Sequence, residues 1–134
     1  MVGRVIRLKH ISRAMVQADR DTLFVFGDNI ARVGRGGQAA AMRGEPNTLG
    51  VPTKWRPGLA ETDYFTDADA DLAQVRDPII LAFYAMREAL SAGRNVVIPA
   101  DGLGTGLADL PQRAPRIHRA IEARIRALRE FSET

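Results

Sequence analysis

Two segments concentrate the residue types that bind and activate phosphates. The first runs Gly27-Asp28-Asn29 and then Gly34-Arg35-Gly36-Gly37-Gln38; the second reads "PADGLGTGLADLP", Pro99 to Pro111. Glycine reaches positive φ without strain and lets a ligand approach the backbone closely. Successive exposed N–H groups then form a concavity for an anion, helped by the N-terminus of a following helix. A phosphate or diphosphate is the guest such loops suit. The candidate ligand contacts are therefore Gly34, Arg35, Gly36, Gly37 and Gln38 from the first loop, and Gly102, Leu103, Gly104, Thr105 and Gly106 from the second. Arg35 can grip phosphate through two parallel N–H bonds, and Thr105 can donate a hydroxyl or an amide. Lys54, in "VPTK", is a further candidate as a phosphate contact or proton donor.

Three residues could carry chemistry. Asp101, between two glycine turns, is placed to act as a general base for water attacking a ribosyl or phosphoryl centre. Asp28 and Asn29 could orient a ribose or a catalytic water. Each has a plainer reading beside it. Asx residues shape turns through their own side chains, Gln38 can be a solvated amide, and Arg35 and Lys54 can be surface charge.

The standard phosphate motifs are absent. No Gly-x4-Gly-Lys-Ser/Thr occurs, which argues against a P-loop nucleotide hydrolase. "GLGTG" follows a strand-like run, but a dinucleotide fingerprint needs an acid at a second strand end about 20 residues on. That distance falls on Glu122, within a helical pattern. Asp63, Asp67, Asp69 and Asp71 lack the spacing of a calcium loop, and Asp67 reads as a helix cap. His10 and His118 belong to no motif. With no Cys there is neither a thiol nucleophile nor a thiolate metal site. No metal and no cofactor is expected, and Trp55, the sole Trp, reads as a packing residue.

These loops need elements to position them. "RVIRLKH" (Arg4 to His10) alternates loosely and reads as a first strand. Ser12 can cap a short helix reaching Asp19 with Met15 and Val16 facing inward. "TLFVFG" and "NVVIPA" have the length and β-propensity of buried strands. "TLGVPT" reads as a third, whose Pro suggests an edge. "GQAAAMRG" reads as a short helix closed by Gly44. "WRPGLAETDYFTDADADL" reads as loop with at most one short strand. Asp77-Pro78 offers an N-cap followed by a first-turn proline, with Ile79, Phe83, Met86 and Leu90 at helical spacing up to Gly93. Pro115 opens a last helix with Ile117, Ile121, Ile125 and Leu128 as its inward stripe. Strands alternating with helices predict an α/β fold over residues 1–134: one domain with a mostly parallel or mixed sheet in a three-layer α/β/α sandwich. Both glycine loops follow strands, and in a parallel sheet both emerge at the carboxyl edge, where ligands bind.

The pair of loops resembles the macro domain, an ADP-ribose-binding α/β/α module. Asn29, Gly36, Gly37 and Ala39 to Ala41 stand where that family has an Asn-containing turn and a glycine run opening a small-residue helix. Pro99-Ala100, Thr105-Gly106 and Pro111 match its Pro-Ala-x-x-Thr-Gly loop and following Pro, with two extra residues between. "GDN", "GRGGQA", "PTK" and "DGLGTGLA" are also similar to small bacterial and phage proteins without assigned function. The resemblance spans residues 20 to 131. It implies binding of ADP-ribose or a related nucleotide or sugar phosphate, with an ADP-ribosyl or phosphomonoester bond as what a hydrolase of this kind would cleave. Macro domains carry an early Asp that recognises adenine; here "KHISRAM" holds no acid in that region.

Composition is that of a globular protein, 46% hydrophobic and 26% charged. No apolar run is long enough to cross a bilayer, and the N-terminal "MVGRVIRLKHISR" lacks the apolar centre of a signal peptide; a soluble cytoplasmic chain is the expectation. The net charge of +3 is almost entirely arginine, Lys9 and Lys54 being the only lysines among 19 basic residues. Arg113, Arg116, Arg119, Arg124, Arg126 and Arg129 fall on the last predicted helix. The alternative to the small-ligand reading is a non-catalytic basic module that binds nucleic acid through this helix; a solvated helix face explains the same charges. No membrane partner is expected.

Overall fold

In the computed structural model, which describes residues 1–134, four strands form one sheet in the order β1-β4-β2-β3. They are β1 (Val5–Leu8), β2 (Leu23–Asn29), β3 (Thr48–Lys54) and β4 (Val96–Pro99). Every pairing is parallel. Five α-helices accompany them: α1 (Arg13–Ala18), α2 (Ala39–Met42), α3 (Ala73–Ser91), α4 (Leu110–Arg113) and α5 (Pro115–Ser132).

The alternation of strand side chains sorts the helices onto two faces. Phe24, Phe26 and Val97 pack with Val16 of α1 and with Ala39 and Met42 of α2. Leu23, Val25, Val96 and Ile98 face the other way, onto Ile79, Phe83 and Met86 of α3 and Ile117, Ile121 and Ile125 of α5. Each such side chain, fully buried, stabilises the fold by about 1.5–3 kcal/mol before entropy is counted. Both faces of the central strands are covered, which is why β2 and β4 read as continuous apolar runs. β3 is an edge strand, and Pro52 removes one outward N–H while Arg32 donates to Gly50 O at 2.8 Å.

Several sequence expectations need correcting. Helix α3 starts at Ala73, not after Asp77, and carries Pro78 inside it. Val75, 1% exposed, begins the buried stripe one turn before the proline, and that burial outweighs the backbone hydrogen bond Pro78 cannot donate. Met15 does not face inward; it is 38% exposed, and Val16 is the one buried residue of the short α1. Arg113 is not on the last helix. Ala114, at φ −145°, breaks the chain between α4 and α5. Residues 55–72, by contrast, form no strand, within the expectation of a loop with at most one; they hold two 3-10 turns and an isolated antiparallel bridge, Lys54 to Tyr64.

The topology places the two loops. β2 and β4 are neighbours, paired at Leu23–Val96 and Phe24–Val97. The connection leaving β2 leads to α2 on one face; the connection leaving β4 leads through α4 to α5 on the other. Successive connections that part to opposite faces leave a crevice at the carboxyl ends of the strands. β2 also runs on to Asn29, past its last pairing with β4, so that one side of Gly27 to Asn29 is left for the second loop.

Candidate functional site

The first loop is built by side chains. Asp28 is buried at the end of β2, and its carboxylate bonds the Arg43 guanidinium and the Arg32 Nη1. Gly50 opposite is obligatory, because a β-carbon there would overlap the Asp28 carboxylate. Arg43 reaches back to the carbonyls of Val33 and Gly34. Asn29 closes the turn from inside: its Nδ2 donates to Val33 O at 2.8 Å, and its Oδ1 accepts from Val33 N at 3.4 Å. Asp28 and Asn29, the expected catalytic pair, are thus the fasteners of the loop, with their polar atoms engaged inside the protein.

Gln38 joins the two loops. Its Oε1 accepts from Gly27 N at 2.7 Å and its Nε2 donates to Gly102 O at 3.1 Å. The second loop is set by packing: Leu103 and Leu110 are fully buried, and Gly102 and Gly104 take φ of 94° and 78°. A β-carbon on Gly104 would overlap Leu110 and lie 3.0 Å from Thr53 Cβ. Thr105 Oγ1 donates to Asp101 O at 2.8 Å, closing a local turn.

Between the loops lies a cleft of about 340 Å³. Gly34, Gly36, Gly37 and Gln38 line it from the first loop, Gly104 and Gly106 from the second, and Lys54 from the end of β3. Arg35 and Thr105 are exposed and outside this lining, as is Asp101, the proposed general base; Gly102 and Leu103 are buried behind it. The residues that the sequence reading missed are Arg43, Thr53, Val33, Pro57, Gly58, Leu59, Leu107 and Ala108. Only Arg43 carried a signal, as a charge at the end of the small-residue helix.

The expected helix dipole is not available. α2 is a single turn and the second loop enters the four-residue α4, so neither loop opens a long helix. The donors are backbone amides instead. Within the protein, no amide from Gly34 to Gln38 or from Leu103 to Ala108 donates a hydrogen bond. Gly104 and Ala108 are buried residues that line the cleft. An acceptor placed in the cleft would give such amides a partner.

Lys54 supplies the cation. Its Nζ donates to Gly58 O at 2.6 Å and lies 4.3 Å from the centroid of the Tyr64 ring, with no carboxylate in ion-pair range. Burial pushes its pKa below the ordinary lysine value; nearby Asp63 partly opposes this and Arg113 adds to it. An anion in the cleft would restore the charge balance that burial disturbs. Arg113 stacks on the same Tyr64 ring at 3.7 Å.

The acidic stretch is structural throughout. Asp63 bonds Arg56 and Ala60 N, and the Arg56 guanidinium holds its pKa below the usual carboxylate range. Asp69 caps Thr66 and accepts from Trp55 Nε1, Trp55 packing edge-on against Phe65 at 5.3 Å. Asp67 and Asp71 bind Arg116. No cluster of metal-ligating side chains is present. No helix is long and apolar enough to cross a membrane.

A second cavity, about 760 Å³, lies across the Asp28–Arg43 pair, between the β3 edge and α3. It is larger, but its only cations, Arg32 and Arg43, already hold Asp28; the smaller cleft has the free amides.

No curated protein and no solved structure matches the chain. A family model, described as a family of unknown function (DUF7831), matches residues 6–124, and the chain belongs to that family.

Proposed function

We propose that this protein binds ADP-ribose or a related nucleotide or sugar phosphate in the cleft between its two glycine loops, as a short macro-like domain. One observation carries the reading: glycines of both loops, their amides without partners in the protein, line one cleft at the carboxyl edge of a parallel sheet, beside a buried lysine that forms no ion pair. Amides and Lys54 hold the phosphates, with Arg43 keeping the first loop in shape. Binding is favoured over hydrolysis. Asp28 is held by two guanidiniums and Asn29 by Val33, and Asp101 lies away from the cleft.

The second reading, a nucleic-acid surface on α5, rests on Arg119, Arg124, Arg126 and Arg129, which are exposed on α5 and form no ion pair. A thermal-shift panel with ADP-ribose, NAD, ADP, ribose 5-phosphate and a short oligonucleotide separates the two. A ligand at a hundred times its dissociation constant adds about 2.7 kcal/mol, a rise on the order of 5–10 °C for a domain of this size. A rise with ADP-ribose, little altered by salt, is the expected result. A rise with the oligonucleotide alone, falling steeply with salt, would overturn the cleft reading.

A further inference from the structure

Few large apolar side chains are exposed on this molecule, and three of them stand at one place. Val33 (52% exposed), Leu59 (78%) and Leu107 (65%) come from three separate loops and all line the same cleft. Leu107 leans over the first loop, its Cδ1 3.7 Å from where a Gly36 β-carbon would lie, and Pro57 Cγ lies 3.1 Å from where a Gly34 β-carbon would be. Exposed aliphatic groups converging on a site mark a surface for an apolar partner.

The polar side chains of the cleft are already bonded within the protein. Asp28 holds Arg32 and Arg43, Asn29 holds Val33, Gln38 ties the two loops, Thr53 Oγ1 donates to Asp28 O, and Lys54 donates to Gly58 O. Each of these side chains is fixed by a bond inside the protein, and none is free to turn its full hydrogen-bonding edge toward a base. A site that contacts a base only through aliphatic surface discriminates weakly among bases, because strong discrimination needs buried polar groups that a wrong ligand leaves unpaired.

We infer that the cleft takes a free nucleoside phosphate whose base rests on Val33, Leu59 and Leu107, and that it does not select the base. The inference rests on the phosphate reading above and adds to it the class of ligand. A volume of about 340 Å³, at the small end of the roughly 300–1,000 Å³ common for ligand sites, suits one nucleotide. It does not suit several nucleotides of a continuing strand.

Calorimetric titration of AMP, GMP, CMP, UMP, pyrophosphate and ribose 5-phosphate tests this on the native chain and on the double variant Leu59→Ser, Leu107→Ser. Both leucines are exposed, so the variant keeps its fold. The four nucleotides should bind within about threefold of one another and at least tenfold more tightly than ribose 5-phosphate. In the variant they should fall to the level at which that variant binds ribose 5-phosphate. A tenfold preference for one base, or nucleotide affinity untouched in the variant, overturns the inference while leaving the phosphate site standing. Absence of binding by every compound, pyrophosphate included, overturns both. A 5′-phosphorylated tetranucleotide should bind at least tenfold more weakly than the free nucleotides; equal binding would overturn the assignment to a free nucleotide.

Discussion

The two glycine loops reach the same cleft by opposite means. The first, after β2, is an exposed arch whose shape is imposed by charged and amide side chains: Asp28 on Arg32 and Arg43, Asn29 on Val33. The second, after β4, is pressed into the core, with Leu103 and Leu110 fully buried and Gly104 squeezed between Leu110 and Thr53. Polar anchoring leaves the backbone of the first loop open to solvent and to a ligand. Packing makes the second loop a fixed wall. A site assembled this way has one rigid side and one side whose geometry depends on ionisation and hydrogen bonding.

The largest expected effect breaks the packed side. Gly104→Val places a branched side chain at a positive φ and against Leu110, so it should cost about 3 kcal/mol or more. Thermal denaturation should show a midpoint about 10 °C lower; a fall of less than about 3 °C would mean that packing does not set this loop. Asp28→Ala attacks the polar side. It removes a buried carboxylate and leaves two partly exposed guanidiniums unpaired, which should cost about 2 kcal/mol. Its signature is local: limited trypsin digestion should cut faster at Arg32 and Arg35, and uniform protection would show that the ion pairs do not hold the arch.

Behind the first loop, Glu45 gathers Arg13, Arg20 and Gln17 and fastens α1 to the turn after α2. These partners lower its pKa from the ordinary 4.5 to about 2. The folded-state value lies below the unfolded one, so its contribution to stability is present above about pH 4.5 and is lost as pH falls towards 2. Glu45→Gln should therefore lower the midpoint at pH 7, with the difference from the native chain vanishing near pH 2. A difference that persisted there would assign the effect to packing instead. Gly36→Val has the smallest expected effect on stability, within about 0.5 kcal/mol, since its surroundings are open. Yet it should weaken phosphate-ligand binding at least tenfold by filling the cleft. Its contrast with Gly104→Val, read in one titration and one melting curve, separates a glycine needed for the ligand from a glycine needed for the fold.

Much of the architecture was legible because it is periodic. The apolar runs of β2 and β4 and the stripe Ile117, Ile121, Ile125, Leu128 announce strands and a helix whose buried faces match the structure. Local chemistry misled where a distant contact overruled it. Asp77-Pro78 has the form of a helix start, but Val75 is pulled into the core a turn earlier. Met15 sits beside an inward position, yet the six-residue α1 buries only Val16. In the site, glycines were legible because their conformational freedom is a property of the residue itself. The roles of Asp28 and Asn29 were not, since the same side chains serve a turn, an ion pair or a reaction according to what faces them.

The sequence by itself determined the four strands, the types of α1, α2, α3 and α5, and two glycine-rich loops that leave strand ends, since these follow from periodicity, turn residues and the chain's local stereochemistry. Tertiary structure alone decided that β4 lies beside β2, bringing residues more than sixty positions apart into one cleft that Gln38 bridges. It also decided that Lys54, Leu59 and Leu107 meet there. Strand order is settled by the burial of two sheet faces at once and by connections that part to opposite sides, and no short stretch of sequence carries that information.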